Sequence, residues 1–470
     1  METIAALKLN DSSTSSLVVV MVPFLAQSHL NQLLQFANVV SSYDIPVHYI
    51  SSTLHISQVK SRASNPIHQL TKIHFHDYPL PFSSSSLSLS DDDESCFTAK
   101  FIENWFPLFE ASPHLRQPIF DLLQSLSQST KRLVVIHDVM MASVVQDVVR
   151  IPNGEAYSFN CISVFANFVY GSLSFGRNDV VPIKNIPPLE SCFPAVMKDF
   201  LEKEMKVVRY QNGEIFNSCK AIEGTFLQSL VNDIGVENNK VWAVGPLHQI
   251  TIMTNNKDKW LLEWLDKQEP NSVLYISFGT TPVFLDEEIK EIAIGLELSG
   301  VKFIWALREG DKFDVLGSNE EGEGPQVPDG FEERMKGMGI VVREWVSQVE
   351  ILRHKSIGGF MSHCGWNSCV ESISMGVPLA TWPLHSDQPI NALFITQVLK
   401  VGVAVMEWEQ RDEVVSSSMI SRAVRTLMAS NEGGEMRKRA EKLGAEVRKS
   451  TEEEGVTRME WDSFIAHITR

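Results

Sequence analysis

His29 closes the run Pro23-Phe-Leu-Ala-Gln-Ser28-His29, just after an apolar stretch and before a helical pattern. Asp138 closes Leu133-Val-Val-Ile-His137-Asp138 in the same way, after a second apolar stretch. An imidazole of ordinary pKa, about 6.5, accepts a proton at neutral pH, and a carboxylate beside it fixes its tautomer and stabilises the imidazolium. Such a pair suits the removal of a proton from an attacking hydroxyl. His137 is a rival base, but strand alternation turns it off the face that Asp138 presents. His74 and His76 share one face of an expected strand and read as pocket lining or surface.

A second chemical stretch runs from Trp345 to Gln388. It contains Trp345-Val346-Ser-Gln348, then Ser362-His363-Cys-Gly-Trp366-Asn367-Ser368-Cys-Val-Glu371, Gly376-Val-Pro378, and Trp382-Pro-Leu-His385-Ser-Asp387-Gln388. The spacing predicts a strand at Ile357–Ser362, a tight turn at His363–Trp366, and a short helix from Asn367 or Ser368 to Gly376, with Pro378 beyond it. A helix N-terminus at the carboxyl end of a strand offers free N–H groups and a positive dipole end, which suits a phosphate. His363 adds a side-chain donor, Trp345 a flat face for a base, and Glu371, Asp387 and Gln388 acceptors for sugar hydroxyls. Each also has a plain structural reading. Ser368-x-x-Glu371 matches a capping box, Trp345 suits a core, and Asp387-Gln388 suits a turn. Cys364 and Cys369 beside His363 lack the spacing of a structural zinc site. There is no Walker loop and no GxGxxG, so ATP hydrolysis and dinucleotide chemistry lack a motif, and no Asp-x-Asp faces the stretch, so no metal is expected.

The elements that must position these groups follow from periodicity. Near-continuous apolar strands are expected at Leu17–Val22, Val47–Ile50, Leu133–Ile136, Val273–Phe278, Phe303–Ala306, Ile340–Arg343, Ile357–Ser362 and Leu379–Trp382, interleaved with helical patterns. That grammar means parallel sheets covered on both faces, in two doubly wound α/β units facing each other. A chain of 470 residues suits two such units. The boundary is expected between Gly245-Pro246 and Lys259, giving domains 1–250 and 251–454. Ser83–Glu94 and Gly310–Gln326 read as surface loops.

With 41 basic and 58 acidic residues the net charge is −17, which repels phosphate backbones and acidic lipid faces, so neither nucleic acid nor membrane is an expected partner. Leu17–Ala26 is half the length of a membrane span and is interrupted by Pro23. The start, Met1-Glu2-Thr3, lacks the basic flank of a signal peptide. The six cysteines form no CxxC pair. A cytosolic monomer with reduced thiols is expected.

The Trp345–Gln388 stretch resembles the signature box of plant family 1 glycosyltransferases, which use UDP-sugars, and the likeness extends over essentially the whole chain. Val135-Ile-His-Asp138, Ile151-Pro-Asn and His385-Ser-Asp-Gln-Pro389 look most like the zeatin O-glucosyltransferase subgroup. The resemblance implies the GT-B type of fold, two facing Rossmann-like domains with an interdomain cleft, the final helix (455–470) packing back on the first domain. It implies that His29 is the general base and Asp138 its partner. Trp345 would stack on the uracil, with the Val346 backbone and Gln348 near base and ribose, and Glu371 on the ribose hydroxyls. His363, Asn367, Ser368 and Thr280 would hold the diphosphate. Trp366, Asp387 and Gln388 would contact the sugar, and in the family a Gln at the last position goes with glucose donors more often than galactose. Ser28 stands where the family often has Gly and bears on donor contact. The implied reaction is inverting transfer of glucose from UDP-glucose, a co-substrate rather than a cofactor, to a hydroxyl of a small apolar metabolite. Zeatin-type cytokinins, flavonoids, terpenoids and existing glycosides are all candidate acceptors. The expected acceptor pocket draws on Ser95–Phe109, Phe159–Phe175 and Pro182–Phe200. A catalytically silent nucleotide-sugar-binding protein and a sugar-nucleotide epimerase are the alternatives.

Overall fold

The computed structural model describes residues 15–62, 72–82, 105–174, 176–177, 181–193, 197–208, 211–233, 240–250, 259–279, 284–307 and 326–470. Thr280, Phe97, Phe101, the Ser83–Glu94 loop, almost all of the Gly310–Gln326 loop and the polar stretch at 254–258 lie outside the described residues.

Two parallel sheets organise the chain. The first holds β1 (Ser15–Val22), β2 (Val47–Ser52), β3 (Ile73–Tyr78), β4 (Thr130–Asp138), β5 (Gly154–Asn160), β6 (Gly213–Phe216) and β7 (Lys240–Ala243), in the order β3-β2-β1-β4-β5-β6-β7. The second holds β8 (Val273–Ser277), β9 (Lys302–Ala306), β10 (Gly339–Val342), β11 (Ile357–Ser362), β12 (Leu379–Thr381) and β13 (Gly402–Ala404), in the order β10-β9-β8-β11-β12-β13. Both are doubly wound, with the order reversing between β1 and β4 and again between β8 and β11. In such sheets the crevice at the strands' carboxyl ends, where the order reverses, is where ligands bind.

The apolar runs become strands because both faces are covered. Along β1, Leu17, Val19 and Met21 enter one core while Val18, Val20 and Val22 enter another on the opposite face. Along β8, Leu274 and Ile276 face one core and Val273 and Tyr275 the other. The latter core is shared by the two halves, since Phe165 and Phe226 pack there against Phe394 at ring-centroid distances of 4.7 and 5.9 Å.

The last helix, Val456–Thr469, lies on the first sheet. Its Trp461 is fully buried, sits 4.9 Å from the Phe36 ring, and donates its indole N–H to the Val244 carbonyl at 2.7 Å. Phe464 and Ile468 join the same core. Replacing a buried Trp by Ala removes its transfer energy and leaves a cavity, so Trp461→Ala should cost about 3–5 kcal/mol. Urea unfolding would measure this, and a loss under about 1 kcal/mol would mean that the helix is not part of the first domain's core.

Candidate active site

β1 stops at Val22, and after Pro23–Ala26 the first helix (Gln27–Ser42) begins, carrying His29 in its first turn. β4 lies beside β1 with Val22 opposite His137, so Asp138 ends one strand next to the helix that follows the other. His29 Nδ1 is 2.6 Å from Asp138 Oδ2. Asp138 has no exposure, whereas the His29 side chain keeps 16% of its surface. The other carboxylate oxygen accepts the Met140 N–H at 2.9 Å, capping the turn after β4. The Cys161 thiol, just past β5, donates to Oδ2 at 3.1 Å.

Burial pulls the His29 pKa down, but the Asp138 charge and hydrogen bond, with a smaller push from Asp387, outweigh it and raise it above the ordinary value. For Asp138, burial would raise the carboxyl, and His29, the Met140 N–H and Cys161 together bring it below the usual range. With Nδ1 held by Asp138, Nε2 is the nitrogen left to take a proton. Phe24 meets the imidazole edge-on at 5.5 Å and Trp105 at 6.3 Å. Trp105 also lies 6.1 Å from the His385 ring, so one indole touches both halves.

His137 is fully buried between the Gln211 amide oxygen (2.8 Å) and the Asp138 carbonyl (2.7 Å), which removes it as a base. His74 and His76 sit on the outermost strand of the sheet, where His76 Nε2 meets His48 Nδ1 at 2.7 Å, and they take no part in the dyad.

In the second half, β11 runs into the His363–Gly365 turn, and the helix spans Trp366–Met375, ending at Gly376 in the left-handed region (φ 76°). The helix therefore begins earlier than Asn367 or Ser368. Its N-cap is Gly365 with no side-chain cap, so Ser368 and Glu371 do not form a capping box. They are instead joined through Gln348, whose amide donates to Glu371 Oε2 at 2.7 Å and to Ser368 Oγ at 3.1 Å. Burial pushes the Glu371 carboxyl up to about 7, with the Gln348 bond pulling the other way. Trp345 is only half-buried, against the core reading, while Val346 is buried.

The His363 ring lies between Gly279 and Gly365. A Cβ on Gly279 would come within 2.9 Å of it, and one on Gly365 within 2.5 Å, so a side chain at either would push the ring aside, and Gly279, at φ 86°, also needs glycine for its backbone. Burial lowers the His363 pKa to about 4, and its Nδ1 is buried without a hydrogen-bond partner among the described residues. A neutral imidazole with an unpaired nitrogen beside uncapped helix N–H groups is arranged for an anion.

Two expected sugar contacts take a different form. The Trp366 ring is 2% exposed and its indole N–H donates to the Asn217 carbonyl at 2.8 Å, so the side chain joins the halves and only its main-chain N–H at the helix start stays available. Gln388 is 4% exposed, and its carbonyl oxygen accepts the Leu384 and His385 N–H groups at 2.8 and 3.1 Å. Its amide nitrogen lies 3.4 and 3.3 Å from the two His385 ring nitrogens. Asp387 is raised to about 6 by burial, against its bond from Asn391. The loop carrying these residues is held by the first half: the Ser386 N–H donates to the Cys192 carbonyl, and Tyr170 donates to the Ser386 carbonyl, both at 2.8 Å. Asn367 donates to the Ser28 carbonyl at 3.2 Å, bringing the donor-side helix against the helix of His29. Nothing in the sequence marks Cys161, Asn217 or Asn391 as part of the site. They carry no motif, and they matter only because the topology brings them to the two crevices.

Residues 15–249 match the family model "Glycosyltransferase, N-terminal domain", and residues 250–435 match "UDP-glucoronosyl and UDP-glucosyl transferase". The chain is 46% identical over 470 residues to a zeatin O-glucosyltransferase of Phaseolus lunatus, covering 98% of this chain and 100% of that one. It is 45% identical over 467 residues to a zeatin O-xylosyltransferase of Phaseolus vulgaris, with the same coverage. Among solved structures, Phytolacca americana UGT2 with UDP-2-fluoro-glucose and pterostilbene superposes with a TM-score of 0.75 at 25% identity, covering 96% of this chain and 99% of that one. With two parallel α/β units of GT-B architecture and full-length likeness to zeatin O-glycosyltransferases, this chain belongs to the UDP-glycosyltransferase family.

Proposed function

We propose that this enzyme moves glucose from UDP-glucose to a hydroxyl of a zeatin-type cytokinin, with inversion and without a metal ion. The single observation that carries the chemistry is the 2.6 Å His29–Asp138 contact at one crevice, facing the uncapped helix behind His363 at the other. The two bean relatives favour the acceptor, and Gln388, by the family resemblance, favours glucose over galactose as the sugar transferred.

His29 Nε2 takes the proton from the acceptor hydroxyl as its oxygen attacks the anomeric carbon. The bond from that carbon to the diphosphate oxygen breaks, and UDP leaves with the electron pair. Asp138 stabilises the imidazolium formed. The N–H groups at the start of the Trp366 helix, with His363, Asn367, Ser368 and Thr280, receive the charge on the leaving diphosphate. Preorganised donors of this kind do the work a divalent cation does elsewhere. Trp345 stacks on the uracil, the Val346 backbone and Gln348 reach base and ribose, and Glu371 accepts from the ribose hydroxyls. Asp387, the Gln388 amide and the Trp366 main chain meet the sugar, while Ser28 borders the diphosphate through Asn367. Phe24, Trp105 and Phe109, whose rings lie 5.1–6.5 Å apart, form an apolar wall beside His29 that suits a flat acceptor. We place the domain division at about residue 250, with the cleft between the halves, and read the enzyme as a cytosolic monomer. Among the described residues no helix is long and apolar enough to cross a membrane.

Purified protein with UDP-glucose, UDP-xylose and a panel of acceptors including trans- and cis-zeatin, in the presence of EDTA, tests the reading. A zeatin O-glucoside formed at full rate is the expected product. Glucosylation of other acceptors only would overturn the cytokinin assignment, and loss of rate in EDTA would overturn metal independence.

The dyad makes its own prediction. His29→Ala should lower turnover by about 10²–10⁴-fold, the usual worth of a general base, with UDP affinity nearly unchanged. His29 must be neutral to act, so kcat/KM should fall as pH drops through its raised pKa. Asp138→Asn removes the main groups that raise it and leaves burial to dominate, so the acidic limb should move to lower pH while the plateau falls. A limb that stays in place would remove His29 as the titrating base.

A further inference from the structure

Three different metal-ligating atoms converge under the cleft floor. His29 Nδ1, Asp138 Oδ2 and Cys161 Sγ all lie within 4.8 Å of one another, with Nδ1–Oδ2 at 2.6 Å and Sγ–Oδ2 at 3.1 Å. Asp138 ends β4, Cys161 follows β5 directly, and His29 stands in the first turn of the helix after β1, so three adjacent strands and that helix hold them together. We infer that this trio is a site for one thiophilic divalent cation such as Zn2+, and that its occupancy switches the dyad off. The switching half rests on the reading of His29 as the base.

The donor set fits. Zinc takes imidazole, carboxylate and thiolate at about 2.0–2.3 Å in tetrahedral geometry, which puts donor atoms about 3.3–3.6 Å apart. The two contacts to Oδ2, at 2.6 and 3.1 Å, reach that spacing with shifts of under about 1 Å, and the third pair, within 4.8 Å, closes by a ring tilt and a thiol rotation. The charges close as well. Zn2+ against one carboxylate, one thiolate and a neutral imidazole is neutral overall, so a buried site at Asp138 carries no uncompensated charge. The approach is from the cleft, where His29 is the exposed member, and Phe24 and Trp105 flank it closely enough to favour a small ion over a bulky reagent. Mg2+ and Ca2+, which need several oxygen ligands, find one carboxylate here and are excluded.

The protonation balance explains the switch. Binding releases the Cys161 thiol proton to solvent and moves the single proton of neutral His29 from Nδ1 to Nε2. With Nδ1 on the metal and a hydrogen on Nε2, the imidazole has no lone pair to accept the hydroxyl proton. The donor side is untouched, so UDP affinity should be unchanged and inhibition should not be relieved by more UDP-glucose.

Cobalt is the probe for binding, because a thiolate on tetrahedral Co2+ gives a near-ultraviolet charge-transfer band that does not depend on turnover. The full chain should develop this band at about one Co2+ per molecule, by the single-site geometry above. Cys161→Ala and the near-isosteric Cys161→Ser should both lose it, while Cys219→Ala keeps it. Zn2+ inhibition, referred to each variant's own metal-free rate, should weaken in Cys161→Ala by at least the about 10–100-fold that loss of even an outer-shell partner costs a metal site. A band that survives both Cys161 variants, or no band at saturating Co2+, overturns the site. A Cys161-dependent band with undiminished turnover in Zn2+ leaves the site standing and removes both the switch and His29 as base.

Discussion

An ionised carboxylate with no access to water survives at Asp138 because His29, the Met140 N–H and the Cys161 thiol all converge on it. Much of the first domain follows from that requirement. His29 must stand just after β1, Cys161 just after β5, and β4 must lie between them, which is the strand order observed. The apolar alternation that buries β1 on both faces therefore also fixes where the imidazole stands. Deleting either partner would leave the other uncompensated, the costly way to break a buried pair.

The second sheet repeats the arrangement for a different charge. At its reversal point Gly279 follows β8 and His363 follows β11, and two glycines leave room for an imidazole kept neutral by burial. One crevice thus holds an imidazole paired with a buried carboxylate, and the other a neutral imidazole beside an uncapped helix N-terminus. Their separation is set by polar clasps between the halves. Trp366 donates to Asn217, Asn367 to Ser28, and Ser163 to Asn391, which in turn donates to the Cys364 carbonyl. The Cys364 carbonyl belongs to a residue held at φ 65°, so the turn that presents His363 is braced from across the interface. Glu223, raised to about 7 by burial, accepts the first N–H groups of helix Val164–Ser174 and so anchors the element that carries this clasp.

Most of this frame could be read from the residues. The apolar strands at the centre of each sheet were legible because burial on both faces leaves unbroken runs, and His29, Asp138 and His363 were legible because they end such runs. β6, β7 and β13 were not, being three or four residues long at the sheet margins. β5 is interrupted by Glu155, Ser158 and Asn160. The helix start was misplaced by a residue or two because Ser368-x-x-Glu371 imitates a capping box, whereas the chain uses Gly365 and gives both residues to Gln348. The commitments of the Trp366 indole and the Gln388 oxygen were hidden for another reason. Their partners lie on the opposite half or in a loop fold, and no spacing rule reaches them. Cys161 looked like any buried thiol until the sheet placed it beside Asp138.

The central claim is that His29 removes the proton from the acceptor hydroxyl while the second crevice holds the leaving diphosphate. A crystal structure of the enzyme with UDP and a bound zeatin-type acceptor tests it most directly. The account requires the reacting hydroxyl within about 2.6–3.2 Å of His29 Nε2, the reach of a general base, and the diphosphate against the N-terminus of helix Trp366–Met375 beside His363. An acceptor hydroxyl directed away from His29, with another group in contact with it, would contradict the account.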